Sequence, residues 1–216
     1  MTAKIFTIGD IHGCYRNLTE LIDRLPFDRQ MDTLIFLGDY INRGPQSREV
    51  VEYVLNLQAK CAKTVFLLGN HEHALLSYAA TGDVETLRSL RSMGVEATLN
   101  SYGSAPMRSL LDLSFLPAAH LDFLLSLQLS FRAGPYLFVH ADAEIDAGDT
   151  RPPAQLLVSR RLATDCLRPN GCVLVFGHTA FQTPLVTLNR IGIDTGAVHG
   201  NVLTALELPR VRFHHA

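Results

Sequence analysis

Three times in its first third the chain repeats one unit: a short apolar run, a polar loop opened by glycine, and a stretch with apolar residues at helical spacing. Residues 4–8 run into Gly9-Asp10-Ile11-His12-Gly13, after which Leu18, Leu21, Ile22 and Leu25 recur until Pro26, a residue that cannot continue a helix. Residues 32–37 run into Gly38-Asp39-Tyr40-Ile41-Asn42-Arg43-Gly44, followed by Val50, Val51, Val54, Leu55 and Leu57. Residues 64–68 run into Gly69-Asn70-His71-Glu72, with a helix expected from near His73. The second run, Leu34 to Leu37, shows no apolar/polar alternation, as in a strand buried on both faces. Such repetition predicts an α/β architecture with largely parallel strands and helices packed outside. Ligands bind beyond the carboxyl ends of the strands in these sheets, so the three loops should share one crevice.

Beyond residue 80 the pattern changes. Residues 83–91 read as helix, 94–103 as an irregular glycine-flanked stretch and 117–127 as helix, a mostly helical insertion over about 80–130. Strands return at 136–139, which end at His140, and at 172–176, which end at Gly177-His178-Thr179. Residues 185–188, 190–193 and 201–208 read as a closing meander. The expected fold is an α/β sandwich: two facing mixed sheets flanked by helices, with a small helical insertion. No Pro/Gly/Ser-rich linker divides the 216 residues, so residues 1–216 are expected to form one domain.

Composition narrows the partners. A net charge of -2 provides no long-range attraction for nucleic acid or an anionic membrane, so any bound anion needs a local site. No secretory leader pattern opens the chain and no apolar run reaches membrane-spanning length, which predicts a cytoplasmic protein. Cys14, Cys61, Cys166 and Cys172 lack metal-type or redox-type spacing and are expected to be unpaired packing residues. Nothing in the sequence sets an oligomeric state.

Five strand endings carry the chemistry: Asp10 with His12, Asp39, Asn70 with His71, His140, and His178. In four of them glycine immediately precedes the first polar residue, which lets the backbone turn tightly and approach a ligand closely. Mixed carboxylate, imidazole and amide donors suit manganese, iron or zinc more than calcium or magnesium alone. Two neighbouring ions with a bridging carboxylate suit phosphoester hydrolysis. An arginine four residues after Asp39 can hold the remaining phosphate oxygens.

These five motifs, in this order, together with Ile193-Asp194-Thr195-Gly196-Ala197-Val198, resemble the metallophosphoesterase signature, over about residues 5–208. More narrowly they resemble the short bacterial and phage form of the PPP-type serine/threonine phosphatases. The resemblance implies that Asp10, His12 and Asp39 hold a first metal ion. It implies that Asp39, Asn70, His140 and His178 hold a second, with Asp39 shared. Manganese is the expected metal, with iron or zinc as alternatives. His71 would be the general acid and Arg43 would hold phosphate. A second phosphate-binding arginine would be Arg160, with Arg161 as the alternative because Val158 stands where the family has an aromatic residue. The implied reaction is direct attack by a hydroxide held between the ions.

The chain departs from that family where Asn42 replaces the aspartate that partners the catalytic histidine. An amide can accept a hydrogen bond from the ring but lacks the charge that stabilises imidazolium, so poor leaving groups should turn over slowly. Asp142 replaces a common glycine and would add an acidic side chain near the mouth. The expected substrate is a phosphorylated protein or peptide. The alternative is a dinucleoside polyphosphate, because symmetrical diadenosine tetraphosphate hydrolases also have a neutral residue at the position of Asn42. A metal-bound module that binds phosphoproteins without hydrolysing them is a lesser alternative.

Overall fold

The computed structural model describes residues 3–142, 152–159 and 172–216. Strands β1 (Ile5–Ile8), β2 (Thr33–Phe36) and β3 (Lys63–Phe66) lie parallel and adjacent. Each leads into a helix: α1 (Tyr15–Arg24), α2 (Ser47–Lys60) and α3 (Asn70–Thr81). Helix α3 starts at Asn70, earlier than the apolar spacing predicts. Its first turn is held by Glu72, whose carboxylate accepts the Gly69 N–H at 3.2 Å, so Asn70 and His71 ride on a helix rather than a loop.

The insertion is helical, as expected, with α4 (Val84–Ser92), α5 (Val95–Ser101), a 3-10 turn at Met107–Leu110 and α6 (Ala118–Leu125). The stretch expected to be irregular is a helix, α5. Gly94 (φ 79°) and Gly103 (φ 89°) bound that helix instead of breaking it. Helix α5 packs on α2 and α4, which brings Thr98 towards the loop after β2.

Strands β4 (Ser130–Ala133) and β5 (Tyr136–Val139), a short helix α7 (Pro153–Leu156), and strands β6 (Val173–Phe176), β7 (Leu185–Val186) and β8 (Arg190–Gly192) follow. The five strands form a sheet of order β4-β5-β6-β8-β7, parallel at its centre and antiparallel at both edges. The closing segment is not one meander. After β8 the chain crosses to the first sheet, where β9 (Thr204–Leu208) and β10 (Arg212–His215) complete the order β10-β9-β1-β2-β3. Periodicity in sequence marks a strand without naming its partner, and β9 pairs antiparallel with β1. His214 and His215, at a chain end where fraying is the rule, lie in β10. There His214 Nε2 meets Glu207 Oε2 at 3.0 Å and His215 Nδ1 meets Thr204 Oγ1 at 2.9 Å.

Residues on β2 show why the fold has two layers of core. Leu34 and Phe36 pack with Phe6, Leu18 and Val54 under the helices, whereas Ile35 and, just past the strand, Leu37 meet Phe138, Val175 and Ile191 of the other sheet. Burial on both faces accounts for the run without alternation. Cys14, Cys61 and Cys172 are free, as expected, and Cys166 lies outside the described residues. No described helix is long and apolar enough to cross a membrane.

Candidate metal centre

Asp39, directly after β2 and its Gly38, is the point where the two sheets meet. One carboxylate oxygen, Oδ2, lies 3.4 Å from His12 Nε2 and 3.8 Å from His71 Nε2. The other, Oδ1, lies 3.5 Å from His140 Nε2. Ligand atoms of His12, Asp39 and His71 form one tight group, and those of Asp39, His140 and His178 form a second, all within 4.8 Å of one another in each group. Asp39 is common to both.

The backbone here is strained. His12 (φ 46°), Asp39 (φ 54°), Asn42 (φ 69°), Arg43 (φ 64°) and His178 (φ 62°) all occupy the left-handed region, which costs of order 1–3 kcal/mol per non-glycine residue. Surrounding groups hold them there. Glu72 is fully buried and accepts four backbone N–H groups: Asp39 and Gly69 on Oε2, and Tyr40 and Ile41 on Oε1. Burial, with Asp39 nearby, pushes its carboxyl up to about 8, although the backbone N–H groups pull the other way. The motif glycines are needed for space, as Gly69 and Gly177 show. A Cβ on Gly69 would lie 2.1 Å from Asp39 Oδ1, and one on Gly177 would lie 2.1 Å from Asp10 Oδ1.

The donor set fits divalent cations on three observations. First, His12 Nδ1 is 3.1 Å from the Ile41 carbonyl and His140 Nδ1 is 2.8 Å from the Leu37 carbonyl, so each donates there and leaves an Nε2 lone pair facing the site. Second, His140 Nε2 and Asn70 Oδ1 are then two acceptors only 2.9 Å apart, with His178 Nδ1 also 2.9 Å from that oxygen. A cation among them relieves the repulsion. Third, Asp10 Oδ1 is buried with no hydrogen-bond partner among the described residues, while its Oδ2 accepts the His178 N–H at 2.9 Å.

Electrostatics agree. Burial, then Asp194 and Asp39, push the Asp10 carboxyl well above the carboxylate range. Burial works against ionised Asp39 too, but His140, His71 and His12 outweigh it and hold that carboxyl well below the usual range. Burial lowers His12 to about 3 and lowers His71, leaving neutral rings. Asp194 is a further buried acid raised by burial, in a turn the sequence marks only as part of a motif.

His71 and Asn42 differ from expectation in a way that bears on chemistry. The Asn42 amide meets the ring through Nδ2, 3.1 Å from His71 Nδ1, not through its oxygen. Its Oδ1 is taken by the Thr98 hydroxyl at 2.7 Å, and its backbone N–H goes to Thr98 Oγ1 and Ser47 Oγ. Nothing in the sequence around Thr98 signals this role.

Arg43 is exposed at the rim, and its Nη1 lies 3.1 Å from His199 Nε2. His199 sits between two glycines in left-handed conformation, a turn residue that does reach the site. Arg160 and Arg161 lie outside the described residues. Asp142 does not stand at the mouth; it is buried and paired at 3.1 Å with Arg190, the first residue of β8 in the same sheet. His73 lies one helical turn beyond Asn70 and is half-buried. Asp10 and Asn70 join the two tight groups through His178, whose N–H goes to Asp10 Oδ2 and whose Nδ1 lies 2.9 Å from Asn70 Oδ1.

The calcineurin-like phosphoesterase family matches residues 3–182, and the chain belongs to that family. The asymmetrical bis(5'-nucleosyl)-tetraphosphatase PrpE of Halalkalibacterium halodurans is 29% identical over 95% of this chain and 90% of that protein. The symmetrical bis(5'-nucleosyl)-tetraphosphatase of Aromatoleum aromaticum is 36% identical over 83% of this chain and 58% of that protein. A crystal structure of a putative diadenosine tetraphosphatase superposes with a TM-score of 0.69 at 24% identity, covering 100% of this chain and 94% of that one, which speaks for the fold. These names belong to dinucleotide hydrolases and lend no support to the phosphoprotein substrate expected from sequence.

Proposed function

We propose that this calcineurin-like phosphoesterase hydrolyses dinucleoside polyphosphates, with two divalent ions held by Asp10, His12 and Asp39 and by Asp39, Asn70, His140 and His178. Such ions lower the pKa of a bound water and neutralise charge on the phosphoryl group. Arg43, steadied by His199, holds phosphate oxygens at the rim.

The observation that carries the substrate class is the Asn42–His71 contact. An amide nitrogen can only donate, so His71 Nδ1 accepts and the ring carries its proton on Nε2, 3.8 Å from Asp39 Oδ2. The ring is thus set as a neutral hydrogen-bond donor towards the phosphate. To act as imidazolium it would need an acceptor at Nδ1, and the Asn42 oxygen is engaged by Thr98. A serine or threonine alkoxide leaves poorly without a proton. A nucleotide leaves as a phosphate whose second ionisation lies at about pH 6, so it departs at neutral pH without one. This favours anhydride cleavage over phosphoprotein hydrolysis.

Metal-stripped protein given manganese, iron or zinc should recover hydrolysis of diadenosine tetraphosphate well above that of a phosphoserine peptide. The relatives that span nearly the whole chain are named asymmetrical, so AMP and ATP are expected on ion exchange rather than two ADP. Faster release of phosphate from the peptide would overturn the proposal.

A further inference from the structure

A second concavity opens beside the metal centre and shares a wall with it. Asn70 stands at one end of a cleft of about 270 Å³ that runs between α3, α4 and residues 154–158. On α3, Asn70, His73, Ala74 and Ser77 recur at three- and four-residue spacing and so line one face. On α4 and just beyond it, Thr86, Ser89 and Met93 do the same. Helices α3 and α4 pack on one another, and small side chains at Ala74, Ser77 and Ser89 leave the space of the cleft between their facing positions. Met93 and Leu157, with Val158 at the lip, supply apolar surface. The side chains of His73, Ser77 and Ser89 have no hydrogen-bond partner among the described residues.

We propose that this cleft is the nucleoside subsite of the enzyme. The inference rests on the dinucleoside polyphosphate reading and adds where one nucleoside goes. A purine or pyrimidine base is flat, apolar on its faces and polar at its edge. The thioether of Met93 with Ala74, Leu157 and Val158 covers the faces, and the hydroxyls of Ser77 and Ser89 can both donate to and accept from the edge. His73 lies between this chamber and Asn70, where the ribose joins the phosphate chain. At the small end of ligand clefts, the volume suits one nucleoside and leaves the polyphosphate over the metal centre.

Ser89→Trp tests it, because Ser89 is exposed on α4 and a large ring there fills the cleft without entering the core. The expected result is a KM for diadenosine tetraphosphate raised about tenfold, with p-nitrophenyl phosphate hydrolysis unchanged. Saturation-transfer NMR with free adenosine supplies a readout that needs neither metal nor turnover: transfer to wild type, lost in Ser89→Trp and weakened in His73→Ala. Wild type that cleaves the dinucleotide while Ser89→Trp leaves its KM unchanged overturns the subsite and spares the function. Wild type that fails to cleave any dinucleotide overturns the function, and the adenosine experiment then decides the cleft alone. Impaired peptide hydrolysis with intact adenosine transfer in Ser89→Trp would make it a peptide site and overturn the inference.

Discussion

The two flanks of Asp39 are built differently. On the Oδ2 side, His12 and His71 come from the first sheet and are held by protein groups alone: the rings meet edge to face with centroids 4.5 Å apart, His12 is pinned by Ile41, and His71 by Asn42 with Thr98 and Ser47 behind it. On the Oδ1 side, His140 and His178 come from the second sheet and converge on Asn70 Oδ1, where His140 presents a lone pair to another acceptor. One flank is preorganised by hydrogen bonds within the protein; on the other, His140 Nε2 and Asn70 Oδ1 lie 2.9 Å apart, where a cation would relieve their repulsion. The preorganised flank also carries His71, which in the proposed reaction faces the leaving group.

Removing the joint tests the whole comparison. Asp39→Asn deprives both flanks of their shared charge, and kcat/KM should fall by at least about a thousandfold. Metal analysis after gel filtration should show fewer than two ions per chain; two retained ions would show that the flanks bind independently. Glu72→Gln strikes the support of the preorganised flank. Its NH2 group must face one of the two pairs of buried N–H donors, which should cost about 2–3 kcal/mol in urea unfolding of the metal-free protein. A loss below about 0.5 kcal/mol would mean that the loop is held elsewhere.

Asn42→Asp sharpens the chemical difference. A carboxylate at this position accepts from His71 Nδ1 and favours the imidazolium, so alkyl phosphate hydrolysis should rise about tenfold while diadenosine tetraphosphate hydrolysis stays within about twofold. Equal gains on both substrates would count against the leaving-group account. The smallest effect is expected at the rim, where His199→Ala frees the Arg43 side chain. KM should rise about threefold with kcat unchanged, since one neutral hydrogen bond is lost at an exposed site.

Legibility in the sequence follows what the flanks are made of. Asp10, His12, Asp39, Asn70, His71, His140 and His178 each lie within a few residues of a strand end, and an apolar run broken by polar residues is visible in a linear pattern. Thr98 was not legible as part of the site, since it reaches it from an element remote in sequence and carries no motif of its own, and His199 reads more as a turn residue than as one that meets Arg43. The same holds for Arg190, whose strand places it over Asp142 and turns an expected surface acid into a buried ion pair.

The sequence by itself determined the α/β class, the parallel β1-β2-β3 core and the identity of the candidate ligands, because hydrophobic periodicity and glycine-polar breaks act over a few neighbouring residues. Only the tertiary structure decided that β9 and β10 close the first sheet, that the Asn42 amide presents nitrogen rather than oxygen to His71, and that α3, α4 and residues 154–158 leave a cleft beside the metal centre. Those outcomes depend on which distant groups compete for the same hydrogen-bonding atoms and the same space, and local pattern carries no record of that competition.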